Sequence, residues 1–129
     1  HTTSNIDSKS LSKSGGVCIY RGAVIINEKA EGAKSNVSCE SLMLDEISQS
    51  DTIPAIIVKN DNIDLGHEAK IGRISDEAVY YLMSRGLSEE EARAMLVRGF
   101  VEPVSKALPL EYAVEMNNLI NLELKGSLK

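Results

Sequence analysis

Residues 33–58, AKSNVSCESLMLDEISQSDTIPAIIV, hold two apolar bursts, Val37 to Leu44 and Ile53 to Val58, embedded in Ser, Asn and Asp. Short apolar bursts bounded by polar or Gly-rich turns are the pattern of β-strands. The same grammar extends outward. Val17 to Tyr20, Ala23 to Ile26 and Ile63 to Leu65 are further bursts. Ser14-Gly15-Gly16, Glu31-Gly32-Ala33-Lys34 and Lys59-Asn60-Asp61-Asn62 separate them with turn-forming residues. Bursts beginning at Ile19, Val37 and Ile53 recur every sixteen to eighteen residues, a spacing that suits one rung of a small β-solenoid. A β-sandwich gives similar short strands. A solenoid also needs a capped first rung, and the chain opens abruptly with no capping element, so it is expected to be a piece of a longer protein.

From Ser75 the period becomes helical. Ser75 can cap a helix from Asp76 to about Arg85, with Val79, Leu82 and Met83 on one face and Gly86 as its left-handed stop. Ser88 to Glu91 forms an S-x-x-E capping box opening a second helix, which is expected to end near Gly99. Pro103 and Pro109 each suit a first helical position, and Tyr112, Met116, Leu119, Ile120 and Leu124 stripe a final helix that Gly126 stops. The expected organisation is therefore a β unit over residues 1–72 and a unit of three or four short helices over 73–129.

Composition excludes several functions. The 129 residues are 43% hydrophobic, enough for a core built from Ile, Val, Leu and Ala, since there is one Phe and no Trp. Fourteen Lys and Arg against 19 Asp and Glu give a net charge of −5 without basic blocks, which argues against nucleic acid and anionic membranes as partners. No apolar run reaches the roughly 18 residues of a membrane span, and HTTSNIDSKSLSKSGG lacks the regions of a signal peptide; a cytoplasmic protein is expected. No G-x-x-x-x-G-K-[ST] loop occurs, so ATP turnover would need another chain.

Two cysteines, Cys18 and Cys39, are too few for a disulfide framework. Cys39 can supply the soft thiolate that iron–sulfur clusters use, or can be a small buried hydrophobe; alternation places it on the face of Val37 and fits both. His67 and Glu68 are adjacent, so on a strand they point to opposite faces, and one metal could take both only across a bend, which Gly66 could supply. Cys18, inside an apolar burst, reads as packing.

The stretch from Ser14 to Ile120 resembles the C-terminal part of the SufB/SufD family of iron–sulfur cluster assembly scaffolds. The resemblance is carried by the YRG strand, SNVSCESLML, SDTIP, the HEAKIGRIS junction, YYLMSRGLSEEEA and ALPLEYAVEMNNLI. It implies a right-handed parallel β-helix followed by a small helical domain, in a cytoplasmic complex of two scaffold subunits with two ABC-type ATPase subunits. A Cys within SNVSCES and the HEA sequence point to the SufB branch. The resemblance implies Cys39 and Glu68, with His67, as ligands of a nascent, transient iron–sulfur cluster. One departure is Gly66, where many relatives carry an acidic residue before the His.

The resemblance further implies a non-catalytic scaffold whose partners are a SufC-like ATPase and a second scaffold subunit, a copy or a paralogue. A cysteine-desulfurase sulfur donor and apoprotein acceptors complete the expected set. The helical tail is expected to dock the ATPase around Phe100, Val104 and Leu108, presented on a turn fixed by the two prolines, although these three can equally close the helical core. Two other classes stand beside this one: a SufD-like docking subunit without cluster ligands, and a solenoid hydrolase or lyase using Glu68, or Cys39 with His67. The scarcity of aromatics argues against the last.

Overall fold

The computed structural model describes residues 1–126; residues 127–129, the end of the expected helical unit, lie outside the described residues. The chain divides into two compact units, one spanning His1–Arg73 and the other beginning at Ile74.

The first unit is built of five strands: β1 (Thr3–Ser12), β2 (Val17–Ile26), β3 (Ala33–Met43), β4 (Gln49–Val58) and β5 (Ile63–Arg73). Odd-numbered strands form one parallel sheet in the order β1-β3-β5, and β2 and β4 form a second. Within a sheet Thr3 pairs with Lys34, Val17 with Gln49 and Ala33 with Ile63, steps of 31, 32 and 30 residues. The sixteen-to-eighteen-residue spacing in the sequence therefore separates consecutive strands lying in different sheets, and sheet neighbours are about twice as far apart. A sandwich of antiparallel hairpins is excluded, because all three pairings are parallel. Ala33 and Lys34, expected in a turn, begin β3.

Strand alternation sorts the side chains. On β3, Ala33, Ser35, Val37, Cys39 and Ser41 are buried, and the residues between them face away. In register, Ile6, Val37 and His67 form one inward row, Ser8, Cys39 and Ala69 the next, and Ser10, Ser41 and Ile71 the next. Ser10 and Ser41 are joined by a hydroxyl hydrogen bond of 2.7 Å. The second sheet sends in Cys18, Tyr20, Gly22, Val24 and Ile26. Gly22 leaves room for Tyr20: a Cβ there would stand 2.7 Å from the Tyr20 hydroxyl, so the ring lies over bare backbone. At the strand ends, Asp45 accepts hydrogen bonds from the backbone N–H groups of Ser14, Ile47 and Ser48, tying two loops together.

The core is smaller-grained than the composition suggests. Ile26, Ala33, Val37 and Cys39 are buried, whereas Val17, Ile19, Ile25, Ile53 and Ile57 lie exposed on the outer face of the second sheet.

The second unit contains α1 (Asp76–Ser84), α2 (Glu89–Ala107) and α3 (Leu110–Gly126). Ser75 caps α1 by accepting from the Ala78 N–H, and Gly86 closes it at φ 98°. Ser88 and Glu91 make the reciprocal capping box of α2. That helix does not stop at Gly99, and Pro103 lies inside it rather than at its start. An interior proline loses the hydrogen bond to the carbonyl four residues back and crowds it. Here that residue is Gly99, and the buried stripe of Ala94, Val97, Val101 and Ser105 carries the helix through. On α3 only part of the expected stripe is turned inward: Met116, Ile120 and Leu124 are half-buried, and Tyr112 and Leu119 are exposed. Gly126, expected as the stop, is the last residue of this helix.

Candidate functional site

Cys39 lies near the middle of β3, the central strand of its sheet, with Ser8 on one side in register and Ala69 on the other. It is 2% exposed. Burial pushes the thiol above its ordinary 9.0, because a thiolate there would give up its hydration. In this setting Cys39 is protonated at neutral pH, and binding a metal would require loss of that proton as the metal arrives.

His67 occupies the neighbouring inward row, opposite Val37. With Ile6, Tyr20, Val24 and Ile56 it lines a small cavity between the two sheets. Its Nε2 is buried and has no hydrogen-bond partner among the described residues. Cys39 and His67 thus share one face of one sheet, on adjacent strands and in adjacent rows.

Glu68 faces the other way. It is opposite Ser38, exposed, and its Oε1 is 3.1 Å from Lys70 Nζ. The bend that Gly66 could have supplied is absent, since β5 runs unbroken from Ile63 to Arg73. Gly66 instead leaves room for Asn36, whose Oδ1 would stand 2.7 Å from a Cβ at that position. On these strands no single ion touches both Cys39 and Glu68, which are held on opposite sides of the sheet. Among the described residues no three His, Cys, Asp or Glu side chains are grouped to hold a metal ion.

The outer face around Glu68 is a charge ladder. Lys9, Glu40 and Lys70 are in register across the three strands, with Lys9 ion-paired to Glu40. The Lys9 hydrogen bond, with the Lys9 and Lys70 charges, holds the Glu40 carboxyl below its ordinary value. Sequence reasoning assigns Lys70 no role. The signal is nevertheless there, since a residue two positions from Glu68 on a strand shares its face. Cys18 is half-buried and points inward opposite Ser50, as packing requires.

Phe100 and Val104 lie four residues apart on α2, and Leu108, four residues further on, is its C-cap. They are not presented on a proline-fixed turn: Phe100 and Val104 are half-buried on a continuous helix, and Leu108, 37% exposed, follows its end. Among the described residues of this unit the most exposed apolar side chains are Leu110, Tyr112 and Leu122 on α3 and Tyr80 on α1. No helix among the described residues is long and apolar enough to cross a membrane.

Residues 1–100 match the family described as SUF system FeS cluster assembly, SufBD core domain. The chain is 59% identical over 128 residues to an iron-sulfur cluster assembly SufBD family protein of Staphylococcus haemolyticus, covering 99% of this chain and 28% of that protein. It is 57% identical, with the same coverage, to the iron-sulfur cluster assembly protein SufB of Bacillus subtilis. The chain belongs to the SufBD family of iron–sulfur cluster assembly proteins. It spans a little over a quarter of the length of these relatives.

Proposed function

We propose that this chain is the C-terminal part of a SufB-type scaffold subunit, on which an iron–sulfur cluster is built as cargo and then handed on. The observation that carries the reading is Cys39, a thiol on the central strand of the sheet, one row from the unpartnered Nε2 of His67, in a chain of this family. Thiolate and imidazole are the ligand types that such clusters accept. The scaffold itself does no catalysis. ATP turnover belongs to a SufC-like ABC-type ATPase docked on the helical unit, with Phe100, Val104 and Leu108 contributing to that surface. The setting is cytoplasmic, and the complex contains a second scaffold subunit, a copy or a paralogue. A cysteine desulfurase supplies sulfur, and apoproteins accept the finished cluster.

The alternation of parallel strands between two sheets, with steps of 30 to 32 residues, supports reading the first unit as turns of a right-handed parallel β-helix. In this reading Glu68 contributes from the outer face and holds iron apart from Cys39. A SufD-like docking subunit without ligands is the second reading, and the burial of Cys39 favours it.

Anaerobic reconstitution of the full-length protein with ferrous iron and sulfide separates the two. Cys39→Ala abolishes the visible cluster absorbance, or makes it labile, if the first reading holds, while Cys18→Ala stays near the parent. An unchanged spectrum in Cys39→Ala supports the docking subunit.

A further inference from the structure

The carboxylate of Glu68 is already occupied by a cation of its own chain. Lys70 Nζ lies 3.1 Å from Glu68 Oε1, and the two side chains, 62% and 60% exposed, stand side by side on the outer face of β5. Lys70 is also in register with Glu40 and its charge reaches that carboxyl, but Glu40 makes its ion pair with Lys9, whereas Lys70 makes its ion pair with Glu68. We propose that Lys70 is a specificity-determining residue of the outer face, an intramolecular competitor that a divalent metal must displace before it reaches Glu68. The inference rests on the scaffold function proposed for this chain, in which Glu68 takes iron.

The physical basis is elementary. A carboxylate binds a hard divalent cation through oxygen, and an ammonium against the same oxygen both blocks it and repels the incoming charge. The pair is exposed, so the effect is modest and salt-sensitive: an exposed ion pair corresponds to a factor of about two to five. Such a guard lowers the occupancy of Glu68 by stray cations while leaving it open to a metal held by further ligands.

Manganese(II) alone is the probe, and free Mn²⁺ is followed by electron paramagnetic resonance during titration of the full-length protein at low salt. Lys70→Met tightens Mn²⁺ binding about threefold to fivefold, Lys70→Arg leaves it unchanged, and the gain closes at 0.5 M NaCl, over roughly a threefold shorter Debye length. In Glu68→Gln/Lys70→Met the gain disappears. Equal binding by parent and Lys70→Met, no binding by either, or a gain that persists without Glu68 overturns the proposal. Failure of the scaffold reading shows elsewhere, as cluster reconstitution that ignores Cys39→Ala and Glu68→Gln alike.

Discussion

Cys39 and Glu68 sit one residue out of phase on neighbouring strands: Ser38 is opposite Glu68, and Cys39 is opposite Ala69. The thiol consequently points between the sheets and the carboxylate away from them.

That phase has a direct chemical readout in the reactivity of the two thiols. With a disulfide reagent at neutral pH, Cys18 is expected to react first, being half-buried, and Cys39 only as the fold opens, because the thiol is both enclosed and protonated. Titrating Cys18→Ala with and without urea checks this. Fast modification of Cys39 in the folded protein contradicts it.

Glu40 makes the first unit sensitive to acid. Its folded value is depressed, so the stability it contributes is present above its ordinary 4.5 and is lost as pH falls through the lowered value. Glu40→Gln is expected to lower the urea midpoint at pH 7 but to converge on the parent as the pH falls below the lowered value of Glu40. A constant difference across that range argues that the Lys9–Glu40 pair contributes nothing.

The Tyr20 ring tests the packing between the sheets. Gly22→Ala puts a methyl group 2.7 Å from the Tyr20 hydroxyl, and crowding of this kind costs about 1–3 kcal/mol. Calorimetry should show a lower Tm, and Tyr20→Leu/Gly22→Ala should recover part of it. If Gly22→Ala melts with the parent, the ring has an alternative place to go.

On α2 the expected change is a gain. A Cβ at Gly99 meets nothing within 4 Å, so Gly99→Ala removes a flexible residue from a helix interior at no steric cost. The gain is about 0.5–1 kcal/mol, read as a rise in the midpoint of unfolding followed by circular dichroism. A fall indicates that Gly99 gives room to Pro103.

The elements are legible where local chemistry governs them. Ser75 and the Ser88–Glu91 box are satisfied by backbone groups three residues away, and short spacing is what sequence displays. The end of α2 defies the local pattern for the opposite reason, since burial of Val101 and Ser105 outweighs the helix-breaking tendency of Gly99 and Pro103. Parallel register is out of reach, because Val37 meets His67 across 30 residues and nothing in the intervening sequence declares that pairing. For the site, alternation correctly sets Cys39 beside Val37 and His67 opposite in sense to Glu68. The straight run of β5 through Gly66 goes with its pairing to Asn36 on β3, a residue 30 positions earlier, which the local sequence does not display. The exposed isoleucines of β2 and β4 are chemically the same as buried ones, so composition overstates the core.

The 30-to-32-residue step also dictates which length changes the first unit can absorb. One residue added within β3 would exchange every inward side chain beyond it for an outward one, sending Glu40 inside and Cys39 out, whereas two would preserve the faces. Extra residues in the loop between β4 and β5 leave both phases untouched and cost only loop entropy. Relatives of this chain that differ in length should therefore carry their insertions at the bends of the chain, and those within strands should come in even numbers.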